Sequence, residues 1–307
     1  MLHPDTRLLL ESPELLAYER SGDTVPAPGP TWDLVIRPTA GWFDWRVGEL
    51  WQQRDLLWLL VWRDVVTVHK QTILGPLWHI INPVLTALVY TLIFGRVVRI
   101  PTDGLPPILF YMAGTVAWNY FTACLYKTNN SLAGNAGLFG KVYFHRLVVP
   151  LSAVLSSVIS FGIQCAIFAV MILAYQLRGV PIQPTPWLLG APVLVAMLAG
   201  YGLALGLICS ALTTRYRDLG QLVSFSTQLL MFATPVIYPV SFVDAQYRWV
   251  MNCNPLTAIV EALRYACLGR GTLEPLSLGI SGFVLLVLLT LGITIYLRAA
   301  RTFMDTV

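Results

Sequence analysis

The chain of 307 residues is 56% apolar and only 12% charged, with a formal net charge of +4. Soluble domains carry about a quarter of charged residues, so this composition excludes an ordinary soluble protein, and we expect no nucleic-acid partner. Six segments contain no Asp, Glu, Lys or Arg, and each has about 19 residues or more, enough to cross a bilayer as a helix. These segments are residues 77–95, 107–126, 150–177, 187–212, 222–240 and 276–297.

These segments predict an all-α integral membrane protein with six transmembrane helices over residues 76–300. A bilayer offers the backbone no hydrogen-bond partners, so spanning segments must be helices or closed barrels, and the period-2 alternation of a barrel is absent. With the N-terminus inside, fourteen Lys and Arg residues lie on the cytosolic side and six on the outer side. The positive-inside rule therefore favours cytosolic N- and C-termini.

Residues 1–45 are predicted to form a cytosolic N-terminal arm. The first 30 residues carry five acidic side chains, several prolines and no long apolar core. We therefore expect no cleavable signal peptide, but an arm that is flexible or loosely docked. Residues 301–307 form a short cytosolic tail.

Residues 46–75 are predicted to form an amphipathic helix that lies along the membrane interface. Trp51, Trp58, Trp62 and Val65 share one face of this helix, and tryptophan is enriched at the headgroup layer. Polar residues occupy the opposite face, namely Glu49, Gln53, Asp64, Thr67 and Gln71. A soluble core helix followed by a second helix is the alternative.

The second span is rich in aromatic residues, among them Trp118, Tyr120 and Phe121. One interpretation is a pore lined by aromatic rings, on which sugar rings slide without being held. The other is helix packing combined with an interfacial aromatic belt. The sequence leaves both interpretations open.

The loop at residues 127–149 is the largest between spans on the predicted cytosolic side. Its apolar residues Leu138 and Phe139 follow Gly137 and are flanked by basic residues such as Lys141. An apolar tip in a loop that faces water is typical of a docking site for another protein. The alternative is a loop that lies back on the membrane.

The fourth span contains Gly202 and Gly206, a spacing that allows another helix to approach closely. The motif is common in membrane helices, so it predicts packing without identifying the partner helix.

The fifth span is unusually polar and includes Ser224, Thr227 and Gln228. Polar side chains in a span usually face the bundle interior or a water-filled path. Ser and Thr also bond back to their own helix, which is the alternative here.

The outer loop at residues 241–275 is too apolar to be a simple solvent loop. Asn254 followed by proline is a good start for a helix, and Glu261 and Arg264 have the spacing of an intrahelical ion pair. We expect short re-entrant helices that dip into the outer leaflet or fold over the bundle. A disulfide between Cys253 and Cys267 is left open.

The sequence lacks the residues that would let this chain power or catalyse a reaction alone. The one Gly-Lys pair, at Gly140, has Asn135 and Val142 where an ATP-binding loop needs Gly and Ser or Thr. The predicted spans contain no carboxylate or lysine, so the sequence predicts no proton relay. The spacing of His and Cys residues does not predict a metal site. A transporter of this kind must draw its energy from a partner, or be passive.

The chain resembles the bacterial ABC-type polysaccharide and polyol-phosphate export permeases, which include the Wzm, KpsM and teichoic-acid permeases. It is most similar to an O-antigen Wzm-type transmembrane subunit, and the likeness covers about residues 40–300. The family usually has proline before the arginine of the inner loop, where this chain has His145. The resemblance rests on Arg63-Asp64, residues 70–78, Pro83, Phe94-Gly95, residues 141–144, Arg146, Pro150, residues 215–218, residues 235–238 and Asn254-Pro255.

The resemblance implies a homodimer with a continuous channel between its subunits, bound to two copies of a separate ATPase. The ATPase would hold ATP and Mg, and this chain would hold no cofactor. The substrate would be a lipid-linked glycan, O-antigen-like and carried on undecaprenyl diphosphate, taken from the cytosolic leaflet of the bacterial inner membrane. Spans one, two and five would line the path, which adds Tyr90 to its walls. Trp58, Trp62, Arg63 and Lys70 would mark the entry.

Three alternatives stay open. The cargo of such a permease would be a teichoic acid or a capsule polymer instead. A membrane enzyme acting on lipid-linked sugars would have to recruit Glu261, with Asp244 and Glu274. A proton-coupled transporter would have to rely on His79.

Overall fold

The computed structural model describes residues 45, 47–69, 75–139, 144–216 and 218–303. Every regular element in these ranges is helical, as predicted. The predicted N-terminal arm lies outside the described residues apart from Trp45.

Five helical segments of the described chain are long and apolar enough to cross a membrane. The first consists of an α-helix that contains Pro83 and of a π-helical turn that begins about two helical turns after this proline. The five segments are α3 (Trp78–Tyr90) with its π turn (Thr91–Val97), α4 (Pro107–Asn129), α6 (Val148–Leu177), a 3-10 turn (Pro186–Gly190) with α7 (Ala191–Arg215), and α11 (Pro275–Phe303).

The predicted fifth span is shorter than expected. Helix α8 (Leu219–Phe232) has 14 residues, and the chain then turns before Pro235. The prediction of a continuous helix to residue 240 was therefore wrong beyond Phe232. Proline lacks the N–H that a helix interior needs and disfavours helical geometry in the preceding residue, so Pro235 and Pro239 explain the early end.

The centre of the bundle is α4, most of whose residues are buried. It packs against α6 and α7, while α7 packs against α11 on its other side. A Cβ atom added at Gly202 would lie 2.5 Å from Cys124 Cβ, and one added at Gly206 would lie 2.5 Å from Thr128 Cβ. The predicted close approach at these glycines is therefore confirmed, and its partner is α4 of the same chain.

The segment predicted to be amphipathic consists of α1 (Val47–Gln52) and α2 (Arg54–His69), and α2 lies along the start of α6. Trp51, Trp58 and Trp62 are each about 70% exposed. Leu60 and Val61 are buried in the contact with the protein. The tryptophan face is thus left free for lipid headgroups, while the membrane placement of this helix stays a prediction.

The outer loop folds into two helices, α9 (Arg248–Cys253) and α10 (Pro255–Leu268). The Asn254 side chain accepts a hydrogen bond from the Leu256 backbone N–H, which confirms the predicted helix start. Helix α10 ends at Gly269, whose φ of 71° and close contact with the Gln183 carbonyl both favour glycine. Helix α10 is largely buried against α4, α7 and α11.

We expect Gly206→Ala to lower the stability of the protein, because its new methyl group would collide with Thr128 and with the Leu125 carbonyl. Overpacking of this kind costs about 1–3 kcal/mol, which thermal unfolding of the detergent-purified protein measures as a lower Tm. Gly162→Ala is the matched control, since nothing lies within 4 Å of a Cβ at that helical position. Equal Tm values for the two variants would contradict the tight α4–α7 contact.

Candidate functional site

The α4–α6 loop (residues 130–147) begins later than predicted, because α4 continues to Asn129. It contains a 3-10 turn and the short helix α5 (Ala136–Phe139). Gly137 is exposed, but Leu138 and Phe139 are half-buried, and the Phe139 ring stacks on Phe144 with 5.3 Å between ring centres. The predicted apolar tip therefore packs partly on the protein itself. Lys141 lies outside the described residues.

The C-terminal end of the α4–α6 loop is tied to α1 and α2. The His145 backbone N–H donates to the Gln53 side-chain oxygen at 2.7 Å, and one ring nitrogen of His145 lies 2.8 Å from the Trp45 carbonyl oxygen. Phe144 belongs to a small core with Leu60 of α2. The histidine that replaces the family's usual proline thus joins this loop to the predicted interfacial helix.

A cluster of charges lies where α2 meets α4 and α6. The Arg63 guanidinium donates to the Asp64 carboxylate at 2.9 Å and to the Asn135 side chain at 3.4 Å. The Lys127 amine donates to Ser156 Oγ at 3.1 Å, and Asp64 lies close enough to attract this amine. Of the predicted entry residues, Arg63 takes part in the cluster, whereas Lys70 lies outside the described residues.

Lys127 is a site residue that sequence reasoning missed. It directly follows the uncharged segment 107–126, so it was assigned to a loop, yet the structure places it in the last turn of α4. Its side chain is half-buried and reaches α6. A cation at the end of a membrane helix, next to a hydroxyl, is suited to hold an anionic group at the membrane surface.

The predicted aromatic lining of the second span is buried inside the subunit. Trp118 is 7% exposed, Tyr120 4% and Phe121 0%. The Tyr120 ring lies 4.4 Å from the Phe161 ring of α6. This burial agrees with the helix-packing interpretation, and the role of these three residues in lining a path stays a prediction.

Helix α8 carries its polar side chains in two ways. Ser224 and Thr227 donate to backbone carbonyls one turn earlier, at 3.2 and 2.7 Å, as the alternative interpretation expected. Gln228 is exposed and shares a face with Ser224 and Gln221, which are also exposed. Together they form a polar stripe on a helix whose remaining exposed residues are mostly large and apolar.

Tyr90 connects the first predicted span to α8. Its hydroxyl lies 3.8 Å from the Met231 sulfur, and its ring makes an edge contact with Tyr111 of α4. The Tyr90 side chain is half-buried, and its ring also contacts Phe94. Tyr90 therefore lies at the meeting point of the three helices that were predicted to line the path.

The predicted ion pair of the outer loop is confirmed, and it is almost completely buried. Arg264 donates to the Glu261 carboxylate and, at 2.8 Å, to the Pro235 carbonyl, while its charged end lies 3.9 Å from the centre of the Phe110 ring. The second Glu261 oxygen accepts the Thr272 backbone N–H at 3.2 Å. Burial lowers the pKa of Arg264, and the Glu261 carboxylate opposes that shift. The pair joins α10 to α4 and to the turn after α8.

Two acidic residues of the outer loop are engaged in contacts within the subunit. The Glu261 carboxylate accepts a hydrogen bond from Arg264, and the Glu274 carboxylate accepts one from Ser277 at 2.8 Å. Both line a small cavity of about 50 Å³, which has room for only a few water molecules. A larger groove of about 600 Å³ between α4, α6, α7 and α10 is lined almost entirely by apolar side chains.

All five cysteines are free thiols. Cys253 is exposed, whereas Cys267 is half-buried and lines the apolar groove together with Cys165. The outer-loop disulfide that the sequence left open is not formed in this structure.

The fold and the charge distribution define a multi-pass helical membrane protein with a polar stripe on one exposed helix. The ABC-2 type transporter family model matches residues 55–268, from α2 to the end of α10. The chain belongs to this family, whose members are the permease subunits of ABC transporters and are not themselves enzymes.

Curated relatives support the same assignment. The chain is 26% identical over 251 residues to an O-antigen export system permease protein RfbA of Klebsiella pneumoniae, covering 82% of this chain and 94% of that protein. A protein of the same name from Myxococcus xanthus is 32% identical over 219 residues, covering 70% and 81%. The polysialic acid transport protein KpsM of Escherichia coli is 23% identical over 238 residues, covering 76% and 89%.

We expect Glu261→Gln to destabilise the protein strongly, because the Arg264 charge would remain buried without its carboxylate. Losing one partner of a buried pair costs about 3–5 kcal/mol, whereas removing both charges costs far less. The double variant Glu261→Gln/Arg264→Met should therefore recover much of the Tm lost in the single variant. Glu274→Gln is the control, since the Glu274–Ser277 contact is exposed. A Glu261→Gln protein as stable as the control would show that the pair contributes little.

Proposed function

We propose that this chain is the transmembrane permease subunit of an ATP-driven exporter of lipid-linked polysaccharide, carried on a lipid diphosphate as O-antigen-like polymers are. The observation that carries the proposal is the similarity to O-antigen export permeases over as much as 94% of their length. The similarity to a polysialic acid transport protein favours a capsule polymer as the second candidate cargo. The protein would act in the bacterial inner membrane, with six spans that include the short α8 and with both termini in the cytosol.

We infer that two copies of the chain form the channel and that two copies of a separate ATPase subunit bind ATP and Mg. The exposed stripe of Gln221, Ser224 and Gln228 supports a water-filled path between the subunits. Exposed polar side chains on an apolar helix are costly in lipid, so they favour contact with water or protein. Tyr90 would contribute to the same path, beside α8. The outer helix α10 would cover its far end as a re-entrant element.

The first experiment removes the gene in a strain without a second permease of this kind. The proposal expects surface glycan to disappear and lipid-linked glycan to accumulate in the inner leaflet, which extraction and chromatography of membrane lipids measure. The purified protein should bring down a nucleotide-binding subunit with it. Normal surface glycan in the deletion strain would rule out the export function.

We propose that the exposed turn at Gly137 forms part of the ATPase docking surface, with Leu138 and Phe139 supporting it from below. Because nothing lies within 4 Å of a Cβ at Gly137, Gly137→Trp adds bulk outward without disturbing the loop. We expect at least about a tenfold drop in copurified ATPase subunit, since a bulky side chain in the centre of an interface disrupts packing.

Gly279→Trp is the matched control for this docking test. Gly279 also has an open Cβ position, but it lies near the start of α11, at the opposite end of that helix from the predicted cytosolic tail. The control should retain the ATPase subunit at the wild-type ratio. Retention by Gly137→Trp as well would refute the docking assignment.

We propose that Lys127 and Arg63 contact the phosphate groups of the lipid-linked substrate as it enters beside α2. Loss of a charge-assisted hydrogen bond costs about 1.5–3 kcal/mol, so Lys127→Met should reduce export by about tenfold or more. Lys127→Arg, which keeps the charge, should retain more activity. Accumulated lipid-linked glycan and surface glycan are the two readouts. Arg301→Met, which removes an exposed cation near the end of α11, is the control; an equal effect would exclude a specific role of Lys127.

A further inference from the structure

One tyrosine hydroxyl contacts both ends of the α4–α6 loop. Ser131, near the start of the loop, donates through Oγ to the hydroxyl of Tyr296 in α11 at 3.2 Å. The Tyr296 hydroxyl in turn donates to the backbone carbonyl of Arg146, near the end of the loop, at 3.5 Å. Two points that are fifteen residues apart along the chain are thus held at a single oxygen atom.

The contact continues into α7 and is shielded from solvent. Ser131 Oγ lies 3.4 Å from Ser210 Oγ, so one hydroxyl chain joins α7, the loop and α11. Tyr296 and Ser210 are each 0% exposed, and Ser131 is 2% exposed. A buried hydroxyl without a partner is unfavourable. The hydroxyls of Ser210, Ser131 and Tyr296 and the Arg146 carbonyl therefore favour the one arrangement in which all of them are bonded. These hydrogen bonds therefore attach the loop to α7 and α11.

The other side of the loop has its own attachment. His145 is held by Gln53 and Trp45, and Asn135 accepts a hydrogen bond from Arg63. The α4–α6 loop thus lies between the predicted interfacial helix on one side and the α7–α11 pair on the other. A movement of the exposed Gly137 turn would reach α2 and the α7–α11 pair only while the hydrogen bonds on both sides of the loop are intact.

We propose that Tyr296 is a positioning residue that couples the α4–α6 loop to helices α7 and α11. The proposal rests on the proposed function in one respect, namely that this loop docks the ATPase. Its specific content is that the Tyr296 hydroxyl is needed to transmit the movement of the bound ATPase, and is not needed to bind it. Removing the hydroxyl therefore separates ATP hydrolysis from export.

A matched control distinguishes this role from a general loss of a buried hydrogen bond. Tyr201 of α7 is also buried, and its hydroxyl donates to the Ser281 carbonyl of α11. It joins the same two helices as Tyr296, but within the described part of the chain its hydroxyl bonds to Ser281 and not to the loop. Tyr296→Phe and Tyr201→Phe each keep the ring and lose one buried hydroxyl.

The first measurement is hydrogen–deuterium exchange of the purified protein over residues 130–139 and 144–147. Tyr296→Phe loses the hydrogen bonds of the hydroxyl to Ser131 and to the Arg146 carbonyl, so its loop amides should exchange about three to ten times faster than wild type. Tyr201→Phe should leave them unchanged. If Tyr296→Phe fails to accumulate, Ser131→Ala removes the shorter of these two bonds, the one at 3.2 Å, from the loop side. Unchanged loop exchange in these variants would overturn the proposed restraint.

The second measurement compares ATP hydrolysis by the complex with surface glycan in cells. For Tyr296→Phe we expect the copurified ATPase and the hydrolysis rate to stay within about twofold of wild type, while surface glycan falls about fivefold or more. A parallel loss of all three, or the same loss in Tyr201→Phe, would show a general structural effect and contradict the proposal. Retention of the ATPase by Gly137→Trp would contradict the docking site itself, whereas unchanged loop exchange contradicts the role of Tyr296 alone.

Discussion

The close approach of α4 and α7 is the constraint on which the rest of the structure depends. Gly202 and Gly206 bring the two helix backbones together, and a single added methyl group at either position would collide with α4. Close packing of this kind replaces the hydrophobic effect as the force that joins helices in lipid. With α4 fixed at the centre, α6 and α11 take their places on either side, and both ends of the α4–α6 loop meet beside Tyr296.

Two groups of charged residues lie at the two ends of this apolar bundle. At one end, α2 is connected to the loop because Arg63 bonds to Asp64 and Asn135. Beside them, Lys127 of α4 bonds to Ser156 of α6. At the other end, the buried pair of Glu261 and Arg264 joins α10 to α4 and to the turn after α8. The cluster of Arg63 and Lys127 remains partly accessible to solvent, whereas the Glu261–Arg264 pair is buried. The first is therefore suited to bind an anionic ligand, and the second to hold the outer helices in place.

Membership of the ABC-2 type transporter family explains why the chain carries no ATP-binding loop of its own. The proposed function requires a surface that receives movement and a path that can open. The exposed Gly137 turn and the polar stripe on α8 are the described features best suited to these tasks. The loop is restrained on both sides, whereas α8 exposes Leu222, Phe225, Leu229 and Phe232.

The sequence by itself determined the helical membrane class, the start of α10 at Asn254 and the Glu261–Arg264 pair, because these depend on hydrocarbon thickness and on contacts within a few residues. It also predicted the close approach at Gly202 and Gly206, although not the partner. Only the tertiary structure decided that Phe121 is buried and that Lys127 reaches Ser156. Such outcomes depend on which helices become neighbours, as does the meeting of Ser131, Arg146 and Tyr296. No local pattern encodes contacts between residues so far apart in the chain.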